Sequence, residues 1–193
     1  GRRNRMISTA EFRGGARLEL DGEPMEILEF QHVKPGKGGA FVRTKLRKLK
    51  SGNVIDKTFR AGEKVEEPDC EEHDMQFLYH DATANEWHFM DTETFEQQFF
   101  TSQQVGNNAD MLKESMMVKI LLYKGQPISV TLPNFVEVEV IETDPGVRGD
   151  TASGGSKNAT VETGAVVKVP LYLEAGTVIL IDTRTRAYVE RVR

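Results

Sequence analysis

The chain has 193 residues, a formal net charge of −5 and a single cysteine, Cys70. That length fits one to three domains, and one cysteine excludes an internal disulfide and suits a reducing cytosol. No apolar run approaches the roughly 18 residues of a membrane-spanning helix, and the charged start at residues 6–13 lacks the apolar core of a signal peptide.

Residues 1–5 read as an appended remnant or a short basic extension and stay outside the fold argument. Residues 17–20 and 23–28 flank Asp21-Gly22, a hairpin signal. A strand-like run, residues 25–33, leads into Lys34-Pro35-Gly36-Lys37-Gly38-Gly39, and another, residues 40–49, leads out. A second hairpin joins it to residues 54–59 across Ser51-Gly52-Asn53. Glu66-Glu67-Pro68-Asp69 reads as a boundary. Strands follow at 75–80 and 87–90, with a turn at 81–85 between them. Residues 117–123 and 127–132 form a hairpin around Lys124-Gly125-Gln126. Residues 135–142 alternate cleanly through most of their length. A polar Gly/Ser stretch spans 149–158, and the last strands fall at 165–169, 177–182 and 187–191. The expected helices are short, at 92–99 and 110–115.

Short strands at this spacing predict an all-β fold of small barrels. Three units of about 60 residues fit better than one large barrel, and units that small need closure to remove their edges. The expected division is 6–68, 69–132 and 133–193, the second and third as OB-type barrels. Charge follows the same division, with net +2, −8 and −2 in turn. A basic face in the first third suffices for nucleic-acid contact even in an acidic chain.

The hairpin tip carries the strongest chemical signal. Pro35 presets a turn, and Gly36, Gly38 and Gly39 tolerate positive φ. Lys37 is therefore expected to project from a slim loop that another backbone can approach. Residues 34–50 hold seven basic side chains (Lys34, Lys37, Arg43, Lys45, Arg47, Lys48, Lys50) and no acidic one. A phosphate-cradling P-loop is excluded, because that motif needs its lysine followed by Ser/Thr at the start of a helix. Alternation puts Arg43, Lys45 and Arg47 on the face opposite Val42, Thr44 and Leu46, as candidate phosphate contacts. Lys48 falls on the apolar face, so the strand must twist or end there. Arg148, Lys157, Arg184 and Arg186 are weaker RNA-contact candidates. His73, His80 and His88 match no metal-ligand spacing, and Cys70, His73 and Asp74 resemble a nucleophile set only by proximity. No catalytic residue, metal or cofactor is expected.

Several long blocks together are specific: His32-Val-Lys-Pro-Gly-Lys-Gly-Gly-Ala-Phe-Val-Arg-Thr-Lys-Leu46, Thr58-Phe-Arg-Ala-Gly-Glu-Lys64, Trp87-His-Phe-Met-Asp91, Leu132-Pro-Asn-Phe-Val-Glu-Val-Glu-Val140, Asp144-Pro-Gly-Val-Arg-Gly-Asp-Thr-Ala152 and Thr163-Gly-Ala-Val-Val-Lys-Val-Pro-Leu171. From Met6 to the C-terminus the sequence resembles the bacterial elongation factor P family. The resemblance implies an SH3-like, KOW-type first domain and two OB domains in an L of tRNA dimensions. It implies a cytoplasmic, monomeric non-enzyme that binds the 70S ribosome between the P and E sites, contacting rRNA and ribosomal proteins beside peptidyl-tRNA. There it would stimulate peptide-bond formation and relieve stalling at consecutive prolines. Lys37 would be extended by a lysine-modifying enzyme and reach the tRNA CCA end, its loop shaped by Lys34, Pro35, Gly36, Gly38 and Gly39. The loop Gly149, Asp150, Thr151, Ser153, Gly154, Gly155 would face the small subunit and the E-site codon.

Two other readings stand beside this one. A free-standing OB-fold RNA-binding protein needs exposed aromatic platforms, for which Trp87, Phe89, Phe135 and Tyr188 are candidates. A paralogue with a different recognition role is the other; the intact Lys-Pro-Gly-Lys-Gly-Gly block argues against it.

Overall fold

A computed structural model describes residues 5–145 and 155–193. Among the described residues, sixteen strands form three antiparallel sheets, and two of the sheets curl into barrels. The all-β expectation holds.

The first sheet contains β1 (Met6–Ser8), β2 (Arg17–Leu20), β3 (Glu23–Val33), β4 (Phe41–Lys48), β5 (Val54–Arg60) and β6 (Lys64–Glu66), in the order β1-β6-β2-β3-β4-β5. Asp21 and Gly22 both take positive φ, 52° and 75°, which is the paired left-handed geometry of a tight hairpin turn. Inward side chains Leu18, Met25, Ile27, Val42, Leu46 and Phe59 build the core with Ile7, Phe12 and Val65. Phe12 and Phe59 meet edge to face, their centroids 5.4 Å apart.

The second sheet runs β11-β10-β7-β8-β9. Its strands are β7 (Cys70–Asp81), β8 (Glu86–Asp91), β9 (Gln97–Thr101), β10 (Met117–Tyr123) and β11 (Gln126–Thr131). The third runs β14-β13-β12-β15-β16, from β12 (Phe135–Thr143), β13 (Ser156–Val161), β14 (Val166–Pro170), β15 (Val178–Asp182) and β16 (Ala187–Arg191). Val136, Val138 and Val140 point inward against Val161, Ile179 and Ile181, all buried, as the alternation of that segment requires. By packing the chain forms two compact units. One is Gly1–Glu72 with Leu121–Ser129; the other is His73–Ile120 with Val130–Arg193.

Three local readings need correction. Residues 92–99 are not a helix but a turn leading into β9. The cause is Asp91, whose Oδ1 accepts from the N–H groups of Glu93 (2.8 Å) and Thr94 (3.2 Å) and so redirects the chain. Residues 110–115 supply only the end of a 3-10 segment, Gly106–Met111. The α-helical turn lies earlier, α1 (Ser102–Val105), where Thr101 and Gln104 cap each other reciprocally. Finally, β13 starts at Ser156, inside the stretch expected to be loop through Asn158.

Candidate nucleic-acid interface

The long β3–β4 hairpin positions the tip. Val33 pairs with Phe41, and the seven residues between them form the loop. Lys34, Gly36, Lys37, Gly38 and Gly39 are exposed. Gly38 sits at φ 93°, which a side chain would strain. A Cβ at Gly36, Gly38 or Gly39 would meet nothing within 4 Å, so the tip is open on every side. Among the described residues nothing pairs with the Lys37 ammonium. The glycines therefore serve access as well as the turn.

Below the tip, β4 alternates as read from sequence. Val42, Thr44 and Leu46 are buried; Arg43, Lys45 and Arg47 are exposed. Thr44 satisfies its hydroxyl by donating to the Lys57 carbonyl at 2.7 Å. The strand ends at Lys48, as its place on the apolar face required, and its ammonium lies 3.5 Å from Glu23. The sheet also supplies acids that the sequence run lacks. Lys45 lies between Glu29 on β3 and Asp56 on β5, and Arg47 lies opposite Glu26. Arg43 alone of the three has neutral partners on both sides, Gln31 and Thr58, and its guanidinium rests 5.4 Å over the Phe41 ring. The basic strand thus presents one unopposed charge and two partly offset ones.

The weaker candidates divide. Arg148, Gly149, Asp150, Thr151, Ser153 and Gly154 lie outside the described residues; Gly155 is described, at φ 56°. Lys157 is only 9% exposed, on β13 opposite Val169, so it is not a surface contact. Arg184 forms a fork on Asp182 (Nε–Oδ1 3.1 Å, Nη2–Oδ2 2.9 Å) and lies 5.4 Å over Phe135. That hydrogen-bonded guanidinium holds the Asp182 carboxyl below the usual range. Arg186 donates to the Asn107 carbonyl at 3.3 Å and pairs with Asp110. Both arginines are engaged in internal ties.

The histidines also have local partners. His73 Nδ1 donates to Asp91 Oδ2 at 2.8 Å, so its carboxylate is Asp91 rather than the neighbouring Asp74. His80 stacks on Trp87 with centroids 4.0 Å apart. His88 joins Asp81 and Glu86 in a trio whose ligand atoms lie within 4.8 Å of one another, a grouping that histidine spacing did not reveal. Burial pushes the Cys70 thiol up, away from the thiolate a nucleophile needs. Of the expected stacking residues, Trp87 and Phe89 are core.

Sequence reasoning also missed a patch around Tyr123. Its phenol, almost fully buried, donates to the Glu19 carboxylate and, at 3.4 Å, to the Gly22 carbonyl. The ammonium groups of Lys50 and Lys124 lie 5.0 and 5.2 Å from its ring centre. Burial, with the Glu19 hydrogen bond second, raises its pKa to about 12. The patch fastens the β10–β11 turn to β2, and only the tertiary contact could have revealed it.

This geometry defines a class before it defines a family. Two thirds of the chain (67%) superposes on 93% of eukaryotic translation initiation factor 5A from Methanococcus jannaschii, with TM-score 0.55 and 22% identity. A 5A-family initiation factor from Naegleria fowleri aligns over 67% of this chain and 99% of its own, with TM-score 0.53 and 12% identity. The chain therefore shares the fold of these two proteins, built from small β-barrels. Family models then match almost end to end: the Elongation factor P KOW-like domain at residues 8–65, its OB domain at 70–130 and its C-terminal domain at 136–191. The elongation factor P of Natranaerobius thermophilus is 56% identical over 188 residues, covering 97% of this chain and 99% of the relative. That of Pelotomaculum thermopropionicum is 54% identical over 187 residues, covering 97% and 100%. The chain belongs to the elongation factor P family of translation elongation factors.

Proposed function

We propose that the chain binds the ribosome between the P and E sites, beside peptidyl-tRNA, and stimulates peptide-bond formation at consecutive prolines. The observation that carries this is the open, glycine-framed tip that presents an unpaired Lys37. Proline is a hindered nucleophile and a poor donor, so holding the donor end of the tRNA in an attack-competent pose recovers part of an entropic barrier. A cationic arm laid along the CCA backbone does this without proton transfer. Post-translational extension of Lys37 by a modifying enzyme would lengthen that arm. Lys34, Pro35, Gly36, Gly38 and Gly39 set the approach of the tip. Arg43 leads the contacts to tRNA phosphates, with Lys45, Arg47 and Lys48 contributing less because acids flank or pair with them. Gly149, Asp150, Thr151, Ser153, Gly154 and Gly155 are assigned to the small subunit and E-site codon. We read three functional domains, 6–68, 69–132 and 133–193, in a monomer working in the cytoplasm.

The test is the rate of Pro–Pro bond formation in a reconstituted translation system, using protein from its native host. The wild-type chain should accelerate the step, and Lys37→Ala should abolish the acceleration. Intact mass should exceed the sequence mass, with the excess located at Lys37. A Lys37→Ala protein as active as wild type would refute the reading.

A further inference from the structure

The central sheet carries an aromatic row on its outer face that the Lys37 hairpin does not use. Register sets Tyr79 of β7 opposite His88 of β8, and His88 opposite Phe99 of β9. Tyr79 and His88 stack with centroids 4.4 Å apart and planes 10° apart; His88 and Phe99 follow at 5.9 Å. The two outer rings are open to water, Tyr79 at 46% exposure and Phe99 at 55%. The core does not need them, since Phe77, Phe89 and Phe100 fill the inner side of the same strands. Two exposed rings bridged by the largely buried His88, unlike a single exposed ring, mark an interaction surface.

The charge around the row decides what kind of surface it is. Asp81 and Glu86 face each other across β7 and β8, next to His88. The outward positions of β8 and β9, Glu86, His88, Met90, Gln97, Phe99 and Thr101, include no lysine or arginine. The whole segment 69–132 has three basic residues against eleven acidic ones. A nucleic acid strand would find rings to stack on, but two carboxylates beside them, and the lysine near Tyr79, Lys113, is already tied to Glu162 (3.6 Å) and the Glu137 carbonyl (3.0 Å). A cationic side chain finds the negative faces of the rings and the carboxylates of Asp81 and Glu86, the latter with Oε2 3.3 Å from His88 Nε2. A bare metal ion is less well served, because Asp81 Oδ1 already accepts from the N–H groups of Thr83 (3.0 Å) and Ala84 (3.1 Å).

We propose that the Tyr79–His88–Phe99 face, with Asp81 and Glu86 at its end, binds a lysine- or arginine-rich segment of a partner protein. The proposal does not rest on the role given to Lys37. It gives the central domain a protein contact of its own, and it assigns the acidity of residues 69–132 to that contact.

The test titrates the full chain with a fluorescent nona-arginine peptide at low and physiological salt, reading anisotropy and backbone amide shifts. Shifts should cluster on residues 79–81, 86–90 and 97–101, and affinity should fall with salt. Tyr79→Leu and Phe99→Leu keep apolar bulk but lose the ring face, and each should weaken binding about two- to fivefold. Tyr79→Phe should retain it. Glu86→Gln should weaken binding, whereas Glu174→Gln, the same charge change in the connection between β14 and β15, should not. Three outcomes would overturn the proposal: shifts clustering elsewhere or absent up to millimolar peptide; ring variants that fold and bind like wild type; or an oligouridylate that binds this face more tightly than the peptide.

Discussion

Two outward sheet faces obey the same alternation and carry opposite charge. On β4, Arg43, Lys45 and Arg47 alternate with buried Val42, Thr44 and Leu46; on β8 and β9, Glu86, His88 and Phe99 alternate with buried Trp87, Phe89 and Phe100. Alternation along a strand decides which side chains meet water. Neighbours across the strands decide what those side chains present. Lys45 is offset by Glu29 and Asp56, while Arg43, between Gln31 and Thr58, is not. His88, unremarkable in sequence, becomes the centre of an aromatic row because Tyr79 and Phe99 flank it.

The largest expected effect tests whether the buried side of the basic sheet holds the outer side in place. Phe59→Ala removes the ring packed on Phe12 and should cost about 3–5 kcal/mol, read from urea unfolding of the first domain's signals. A loss below about 1 kcal/mol would mean the core closes over the gap and the basic face does not depend on it. Next, Arg43→Ala should weaken tRNA binding and flatten its salt dependence by roughly one counterion. Lys45→Ala should do measurably less. Equal effects would break the comparison, because the flanking carboxylates would then not matter.

A smaller effect concerns the turn after β8. The hydrogen bond from His73, then the Glu93 N–H, hold the Asp91 carboxyl below its ordinary range, against a smaller opposing push from burial. Because the folded value is the lower one, this stabilisation is complete above the unfolded pKa, near pH 4. It is lost as pH falls through the lowered folded value. Urea midpoints should therefore drop between pH 5 and pH 3, and Asp91→Asn should drop less over that range. An identical pH profile for the variant would contradict the assignment. The smallest effect is on stability at the tip: Lys37→Ala should shift unfolding by no more than about 0.5 kcal/mol, since nothing packs there.

Much of the fold was legible because its signals are local. Asp21-Gly22 takes the paired positive φ that its residue types suggest, and the Lys124-Gly125 turn takes the same geometry. The alternation of β4 and β12 gave the inward faces correctly. Helicity at 92–99 failed because one side chain, Asp91, outweighs the propensity of the residues after it. The Thr101…Gln104 capping box, by contrast, was present in the sequence and marks the real helical turn. Of the candidate site, the Lys37 tip and the outward face of β4 were readable. The offsetting of Lys45, the internal ties of Arg184 and Arg186 and the burial of Lys157 were not, because each depends on a residue distant in sequence or on register. The Tyr79–His88–Phe99 row depends on the register break between Phe77 and Tyr79, which no single-strand periodicity encodes.

The role of Lys37 turns on where the tip of the β3–β4 hairpin lies when the chain works. Directed hydroxyl-radical cleavage measures that position. An iron chelate is attached at residue 37 of a Lys37→Cys, Cys70→Ser protein bound to ribosomes stalled with peptidyl-prolyl-tRNA. Cuts at the CCA end of the P-site tRNA are the predicted result. Cuts confined to small-subunit RNA, or none in the tRNA despite bound protein, would contradict the account.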